Sequence, residues 1–136
     1  MAGVSNKYDY WEKYSKSAEQ FIESHTAFGE YIFAEEETYR FVIMGNIIRF
    51  NLVAHRQGAY YSLNPSLSGK LLSDYIFVLY SDNFDLIKIV LQYYRIKYVL
   101  IYEGEPDQYP GLTQILMYCT TVFRNEYYTI LRCDAP

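Results

Sequence analysis

The chain of 136 residues has few of the residues that most often organise catalysis: two histidines, two cysteines and one tryptophan. No stretch reaches the ~18 consecutive apolar residues that a transmembrane helix needs. The opening residues do not resemble a secretory signal peptide, because no charged segment precedes an apolar core. Glycine-rich nucleotide-binding motifs and the Gly-x-Ser-x-Gly hydrolase motif are also missing. The sequence therefore predicts no self-sufficient catalytic centre, no resident metal and no cofactor.

An excess of basic charge is also lacking. The formal net charge is −4, and the 12 lysines and arginines are scattered along the chain. Binding to nucleic acid depends on clustered basic residues that displace counterions from phosphates. The composition therefore excludes nucleic acid as the main partner.

Cys119 and Cys133 do not have the spacing of metal ligands. A disulfide between them is compatible with their separation, but two cysteines alone identify no redox compartment. We expect two free, partly buried thiols.

Apolar and aromatic residues are abundant: 51% of the chain is hydrophobic, with 17 tyrosines and 8 phenylalanines. This composition predicts one folded domain over residues 1–136, large enough to bury a core without a metal or disulfide. Tyrosine buries a ring but keeps a polar tip, so the tyrosines indicate wide, half-buried rims. We expect residues 1–6 to be disordered or vector-derived, because Met1-Ala2-Gly3 is typical of a cloning leader.

Helices and strands alternate in the predicted secondary structure. Apolar residues from Tyr8 to Ile22 recur at three- and four-residue steps, which predicts a helix ending near His25. A short buried strand should follow at Tyr31–Ala34, and a second strand should lie within residues 47–54, with a helix there as the alternative. Glu35, Glu36 and Glu37 suit the solvated first turn of a helix that ends near Gly45. Tyr8 and Trp11 suit either a membrane interface or a helix face docked on the sheet, and the pattern favours docking.

The second half of the chain supports a layered α/β fold. Residues 67–80 predict a helix, with a strand over residues 75–80 as an alternative. A helix capped at Ser81-Asp82 then leads into the clearest strand, Ile96–Tyr102, as in a βαβ unit. A short helix over Leu112–Met117 and a terminal hairpin around Asn125-Glu126 follow. We predict a small three-layer-type α/β domain with a mostly parallel central sheet, helices packed on that sheet and a C-terminal β-hairpin.

Two stretches are candidate ligand-binding sites. His55 and Arg56 precede Tyr60 and Tyr61, a combination that could hold a phosphate or carboxylate, although the pattern favours an ordinary polar turn after a strand. The loop after the last parallel strand contains three acidic residues in alternation: Glu103, Glu105 and Asp107. Ligands of open α/β sheets usually bind at this end of the strands, so these carboxylates could face one cation or sugar. A solvated loop is the plain alternative.

Several segments together resemble a known family. The segments are Ala18–Thr26 with Gly29–Ala34, then Asp85–Ile101 with its Ile-Lys-Tyr-Val strand, then the hairpin Val122–Arg132. They are similar to the C-terminal domain that follows the last membrane span of polytopic GT-C-type glycosyltransferases. The oligosaccharyltransferase branch carries a Trp-Trp-Asp-Tyr-Gly motif, of which Tyr8–Trp11 keeps only the Asp-Tyr pair. No catalytic role is therefore transferred to Asp9.

The resemblance implies an extracytoplasmic, membrane-associated accessory domain that is noncatalytic by itself. Its partners would be the transmembrane remainder of the protein and a lipid-linked sugar or acceptor. Two other functions are compatible with the residues. One is a free-standing cytoplasmic module that binds a protein or small ligand through a tyrosine-rich surface. The other is a small hydrolase or transferase that uses His55 with distant carboxylates.

Overall fold

The computed structural model describes the backbone of residues 2–27, 30–35, 38, 50–51 and 65–134, with side chains in 13–27, 30–35, 38 and 69–134. Over these residues the chain forms four α-helices, one 3₁₀ turn at Glu105–Asp107 and five strands. The helices are α1 (Ala2–His25), α2 (Pro65–Tyr80), α3 (Phe84–Tyr93) and α4 (Pro110–Tyr118). The strands are β1 (Tyr31–Ala34), β2 (Phe50–Asn51), β3 (Tyr98–Tyr102), β4 (Thr120–Arg124) and β5 (Tyr128–Arg132).

The sheet has the strand order β2-β1-β3-β5-β4 and is mixed. Strand β1 runs parallel to both β2 and β3, with Phe33 opposite Val99 in the β1–β3 pair. Strand β5 is antiparallel to β3 and β4. The α/β class and the C-terminal hairpin are confirmed, but the expected mostly parallel sheet is wrong. The reason is that one strand of the hairpin, β5, inserts itself beside β3.

Two hydrophobic cores lie on opposite faces of this sheet. Alternate residues of β3 supply them: Val99 and Ile101 pack with α2, α3 and α4, whereas Tyr98 and Leu100 pack with α1. All four side chains are buried. A strand covered on both faces reads as a continuous apolar run, which explains why β3 is the clearest strand in the sequence. Helices therefore pack on the sheet as predicted, and the three-layer description is confirmed in part.

The ends of α3 show how local sequence fixes the helix before β3. The N-cap is Asn83, whose side-chain oxygen accepts a hydrogen bond from the Leu86 N–H at 3.4 Å. The expected cap at Ser81-Asp82 is therefore displaced. At the other end Arg95 adopts φ 57°, and the Ile96 N–H donates to the Leu91 carbonyl at 2.8 Å. This left-handed residue reverses the chain and delivers it into β3.

The remaining predicted elements differ in outcome. Strand β1 is confirmed with the predicted bounds, and β2 lies within the predicted residues 47–54. The whole of α2 is helical, so the alternative strand over residues 75–80 is excluded. Helix α1 begins at Ala2, within the residues expected to be disordered or vector-derived. The predicted helix from Glu35 to Gly45 lies outside the described residues except for Glu35 itself and Thr38, which is helical.

The two cysteines form a disulfide, so the expectation of free thiols is wrong. In the β4–β5 pair Thr120 lies opposite Arg132, which places Cys119 opposite Cys133 just outside the ladder. Their Cα atoms are 4.8 Å apart, well within the range that a disulfide can bridge. The bond therefore joins the start of β4 to the residue that follows β5. The register of the hairpin brings the two cysteines together, and this register cannot be predicted from the spacing of the cysteines in the sequence.

Helix α1 runs antiparallel to β3. Its C-terminal part lies near the start of β3, where the Phe21 and Tyr98 rings are 6.0 Å apart. Its middle lies near the hairpin turn, where the Asn125 side-chain amide donates to the Tyr14 carbonyl at 3.0 Å. The N-terminal end of α1 therefore points toward the carboxyl end of β3. The start of α1 therefore lies on the side of the domain where the parallel strands end.

Candidate functional site

The candidate site lies where the parallel strands β1 and β3 end. Glu35 directly follows β1, and Glu105 lies three residues after β3. Because β1 and β3 are parallel, these two carboxyl groups reach the same edge of the sheet. We call this edge, with Glu35, Thr38, Glu105 and the neighbouring Tyr102 and Tyr127, the carboxyl edge. Open α/β sheets commonly bind their ligands at such an edge.

Glu105 is the buried acid of the carboxyl edge, with only 7% of its surface exposed. Gly104 adopts φ 90° and turns the chain so that Glu105 opens a 3₁₀ turn and faces inward. The Tyr102 N–H donates to a Glu105 carboxyl oxygen at 2.6 Å. The Thr38 hydroxyl donates to the same carboxyl group, which also forms a hydrogen bond with the Glu35 carboxyl. These contacts fasten the loop after β3 to the segment after β1.

Burial raises the pKa of Glu105 to about 7. The Tyr102 and Thr38 donors favour the charged carboxylate and oppose this rise, whereas the neighbouring Glu35 adds to it. A hydrogen bond between two carboxyl groups requires that one of them carry a proton. Near neutral pH Glu105 can therefore carry the proton of this hydrogen bond.

The raised pKa of Glu105 makes a pH-dependent prediction. The pKa of Glu105 is about 7 in the folded protein, against an ordinary value of 4.5. The contribution of Glu105 to the free energy of unfolding is therefore complete below pH 4.5 and is lost as the pH rises through 7. A Glu105→Gln variant keeps a neutral, hydrogen-bonding side chain at every pH. We expect it to exceed the wild type in free energy of unfolding by about 3 kcal/mol at pH 8, and by little at pH 4.

Urea unfolding of both proteins between pH 4 and pH 8 checks this prediction. Glu103→Gln is the matched control, because it removes an exposed carboxylate of the same loop. The pH-dependent gain should be absent from the control. A Glu105→Gln variant that is equally or more destabilised at pH 8 than at pH 4 would show that Glu105 is charged in the folded protein.

Half-buried tyrosines lie at the same end of the sheet: Tyr102 ends β3, and the Tyr127 carbonyl accepts a hydrogen bond from the Glu103 N–H at 2.8 Å. The Tyr102 and Tyr127 rings lie parallel, with centroids 6.3 Å apart, and Tyr14 meets Tyr127 edge-on at 5.2 Å. Tyr128 packs beneath them and is fully buried, with its ring 5.4 Å from that of Tyr102. This cluster is a half-buried tyrosine rim of the kind that the composition predicts. It offers apolar ring surface together with hydroxyl groups at the edge of the sheet.

The acidic loop residues do not converge as the sequence predicts. Glu103 and Asp107 are exposed, and only Glu105 turns inward. The alternation expected of an extended loop is lost because the chain curls into the 3₁₀ turn. Within the described residues no three His, Cys, Asp or Glu side chains are grouped as metal ligands. Glu103, Glu105 and Asp107 are therefore not grouped around one point in the structure.

The other predicted site lies outside the described residues: His55, Arg56, Tyr60 and Tyr61. Sequence reasoning also misses four of the five members of the carboxyl edge: Glu35, Thr38, Tyr102 and Tyr127. The run Glu35-Glu36-Glu37 predicts only a solvated helix start. One feature of the sequence points to Glu35: it directly follows a short buried strand, β1. The acidic loop follows β3 in the same way.

Compared with known proteins, the chain matches no family model and no curated protein. The likeness to GT-C-type glycosyltransferases therefore stays a prediction. None of the helices in the described part of the chain is long and apolar enough to cross a membrane.

Proposed function

We propose that this chain is a noncatalytic, extracytoplasmic accessory domain of a glycosyltransferase-like membrane protein. Its carboxyl edge contacts a lipid-linked sugar or the acceptor of that sugar. The observation that carries the proposal is that two hydrogen-bonded carboxyl groups and half-buried tyrosines lie at the same edge of the sheet, linked by the Tyr102 N–H that donates to Glu105.

The chemistry of this edge suits a carbohydrate. A sugar presents hydroxyl groups that both donate and accept hydrogen bonds, and C–H surfaces that pack on aromatic rings. Glu35 is half-buried, and beyond its hydrogen bond to Glu105 its carboxyl group keeps lone pairs that can accept hydrogen bonds from sugar hydroxyls. Tyr102 and Tyr127 supply two parallel, half-buried rings at the same edge of the sheet. The arrangement can hold and orient a sugar without performing a reaction on it.

The direction of α1 agrees with a position next to a membrane. In the family that the sequence resembles, the chain enters this domain from its last membrane span. Helix α1 continues from Tyr14 back to Ala2, about 18 Å further along its axis at 1.5 Å per residue. A chain that enters from this end brings the carboxyl edge toward the membrane, where a lipid-linked sugar is held.

The disulfide favours the extracytoplasmic side. Disulfides persist in oxidising compartments and are rare in the cytosol, where thiols are kept reduced. The bond between Cys119 and Cys133 closes the hairpin at its open end, where it ties β4 to β5. This observation favours the membrane-associated interpretation over the free-standing cytoplasmic module.

Binding of a water-soluble, short-chain polyprenyl phosphate sugar tests the proposal. We expect NMR shift changes centred on Tyr102, Glu105 and Tyr127, and at least tenfold weaker binding after Tyr127→Ala. Tyr93→Ala removes a tyrosine that is 66% exposed on α3 and should leave the affinity unchanged. No binding at millimolar probe, or shifts confined to α3, would contradict the proposed role of the carboxyl edge.

A further inference from the structure

The outer surface of helices α2 and α3 is apolar. Large hydrophobic side chains recur at three- and four-residue spacing and point to solvent: Leu72, Ile76 and Tyr80 on α2, and Leu86, Ile89 and Tyr93 on α3. Such spacing places each set on one stripe of its helix. The most exposed members are Ile89 at 61% and Tyr93 at 66%. Each helix therefore carries a second apolar stripe besides the one that packs on the sheet.

Helix α4 extends this surface. It contains no charged residue, and Met117 and Tyr118 are 64% and 62% exposed. The Phe84 and Tyr118 rings stack at 5.0 Å and join α3 to α4, and the Lys70 ammonium lies 4.5 Å from the Tyr93 ring centre and joins α2 to α3. The three helices thus form one connected layer. We call the outward side of this layer the apolar helical face.

The opposite layer does not share this property. On α1 the exposed side chains are polar over the part where side chains are described, for example Lys13, Gln20 and Glu23. That helix is amphipathic, as expected of a helix with one side in water. By contrast, α2, α3 and α4 bury Val78, Ile87 and other side chains against the sheet while they expose apolar side chains on the other side. A helix that is apolar all round is normally buried.

We propose that the apolar helical face is the interface with a second copy of this chain, related to the first by a two-fold axis. Of the eleven exposed large hydrophobic side chains in the described residues, all but Val122 lie on α2, α3 or α4, which leaves ten. At roughly half exposure each, ten such side chains present on the order of 1,000 Å². A standard interface takes about 800 Å² from each partner, so the area is sufficient.

The charge of the apolar helical face favours a second copy of the chain over a lipid surface as the binding partner. The charged residues of α2 are Lys70 and Asp74, which form an ion pair at 3.0 Å, and those of α3 are Asp85 and Lys88. With none on α4, two positive and two negative charges sum to zero, so two faces do not repel although the whole chain carries −4. Docking on anionic headgroups relies on clustered Lys and Arg, which these helices lack.

The composition of the face agrees with this choice. Tyrosine and methionine are enriched in protein interfaces and charged residues are depleted from their centres. Two-fold dimers are the commonest oligomers, and their interfaces use the same patch on both subunits. The inference does not depend on the proposed sugar contact, because that contact lies at the edge of the sheet next to α1.

Sedimentation equilibrium of the full chain from 1 to 100 μM tests the proposal. We expect the wild type to be a dimer, and the dimer Kd to rise at least 100-fold in Ile89→Asp. Both copies carry the substitution, so the interface of the variant would bury two charges. Tyr93→Lys, at a second exposed position, should also give a monomer, and circular dichroism checks that both variants fold. Gln20→Asp, an exposed change on α1, should leave the dimer intact.

A wild type that is monomeric at 100 μM would overturn the proposal. So would a dimer that persists in both folded variants, since another surface would then form it. Flotation with vesicles of phosphatidylcholine and phosphatidylglycerol covers the lipid alternative. Recovery of a monomer with the vesicles, abolished by Ile89→Asp, would assign the face to the bilayer and contradict self-association.

Discussion

A Gly111→Ala variant is expected to lose about 3 kcal/mol or more of its free energy of unfolding. Gly111 is buried in the first turn of α4, where that helix crosses the end of α2. A Cβ atom at this position would lie 1.6 Å from the Val78 carbonyl oxygen and 2.9 Å from that of Leu79. Both obstacles are backbone atoms, so neither can move aside by a rotamer change. The two helices would have to separate.

Gly69→Ala is the matched control for this prediction. Gly69 lies inside α2, and a Cβ atom there would have no neighbour within 4 Å. Alanine should stabilise the helix at this position by about 0.5–1 kcal/mol, because glycine loses more backbone entropy on folding. Thermal or urea unfolding of both variants measures the contrast. A Gly111→Ala variant within 1 kcal/mol of the wild type would show that α2 and α4 are not packed this closely.

Removal of the disulfide is expected to have the second-largest effect. The bond closes a loop with a sequence separation of 14, and constraint of the unfolded chain over such a loop is worth about 3 kcal/mol. The double variant Cys119→Ala with Cys133→Ala should lose this amount. Reduction of the wild type should also lower its urea midpoint, because it breaks the same bond.

The double variant also supplies the control for the reduction experiment. Reductant should leave its unfolding curve unchanged, since it has no disulfide to break. Superimposable curves for oxidised and reduced wild type would show that the two thiols are not bonded in the folded domain.

Local pattern was sufficient for the elements that lie in the core. Strand β3 could be predicted because Val99 to Ile101 are buried on both faces, so the apolar run is uninterrupted. The hairpin could be predicted because Asn125 is a turn former, and its side-chain oxygen accepts hydrogen bonds from the N–H groups of Tyr127 and Tyr128. In both cases the sequence signal lies within a few consecutive residues.

Pairings between distant residues could not be predicted in the same way. The place of β5 between β3 and β4 depends on long-range burial of both its faces, which the alternation of its residues does not encode. For the same reason the sequence predicted a mostly parallel sheet. The disulfide follows from the β4–β5 register, which is itself shifted by an irregularity between Thr121 and Phe123.

In the candidate site, too, contacts between distant residues could not be predicted from the sequence. The position of the acidic loop at the carboxyl end of β3 could be predicted, because the strand before it is a clear apolar run. Which of its carboxyl groups turns inward depends on the left-handed conformation of Gly104. The partner of Glu105 is Glu35, which is 70 positions earlier in the chain and reaches the edge only because β1 pairs with β3.

The disulfide, the direction of α1 and the carboxyl edge together support one account of the chain. In that account the domain sits outside the cytoplasm, with its carboxyl edge turned toward a membrane. The apolar helical face lies in the layer opposite α1 and is left to pair with a second copy. Each surface therefore has a separate role, and variants of one should not disturb the other.

Thiol labelling of the native gene product in intact cells tests the central claim most directly. A maleimide that cannot cross membranes is applied before and after a reductant, and the membrane pellet is analysed. The account predicts labelling of Cys119 and Cys133 without cell lysis, in the pellet, and only after reduction. Labelling that needs no reductant, requires lysis and appears in the soluble fraction would contradict it.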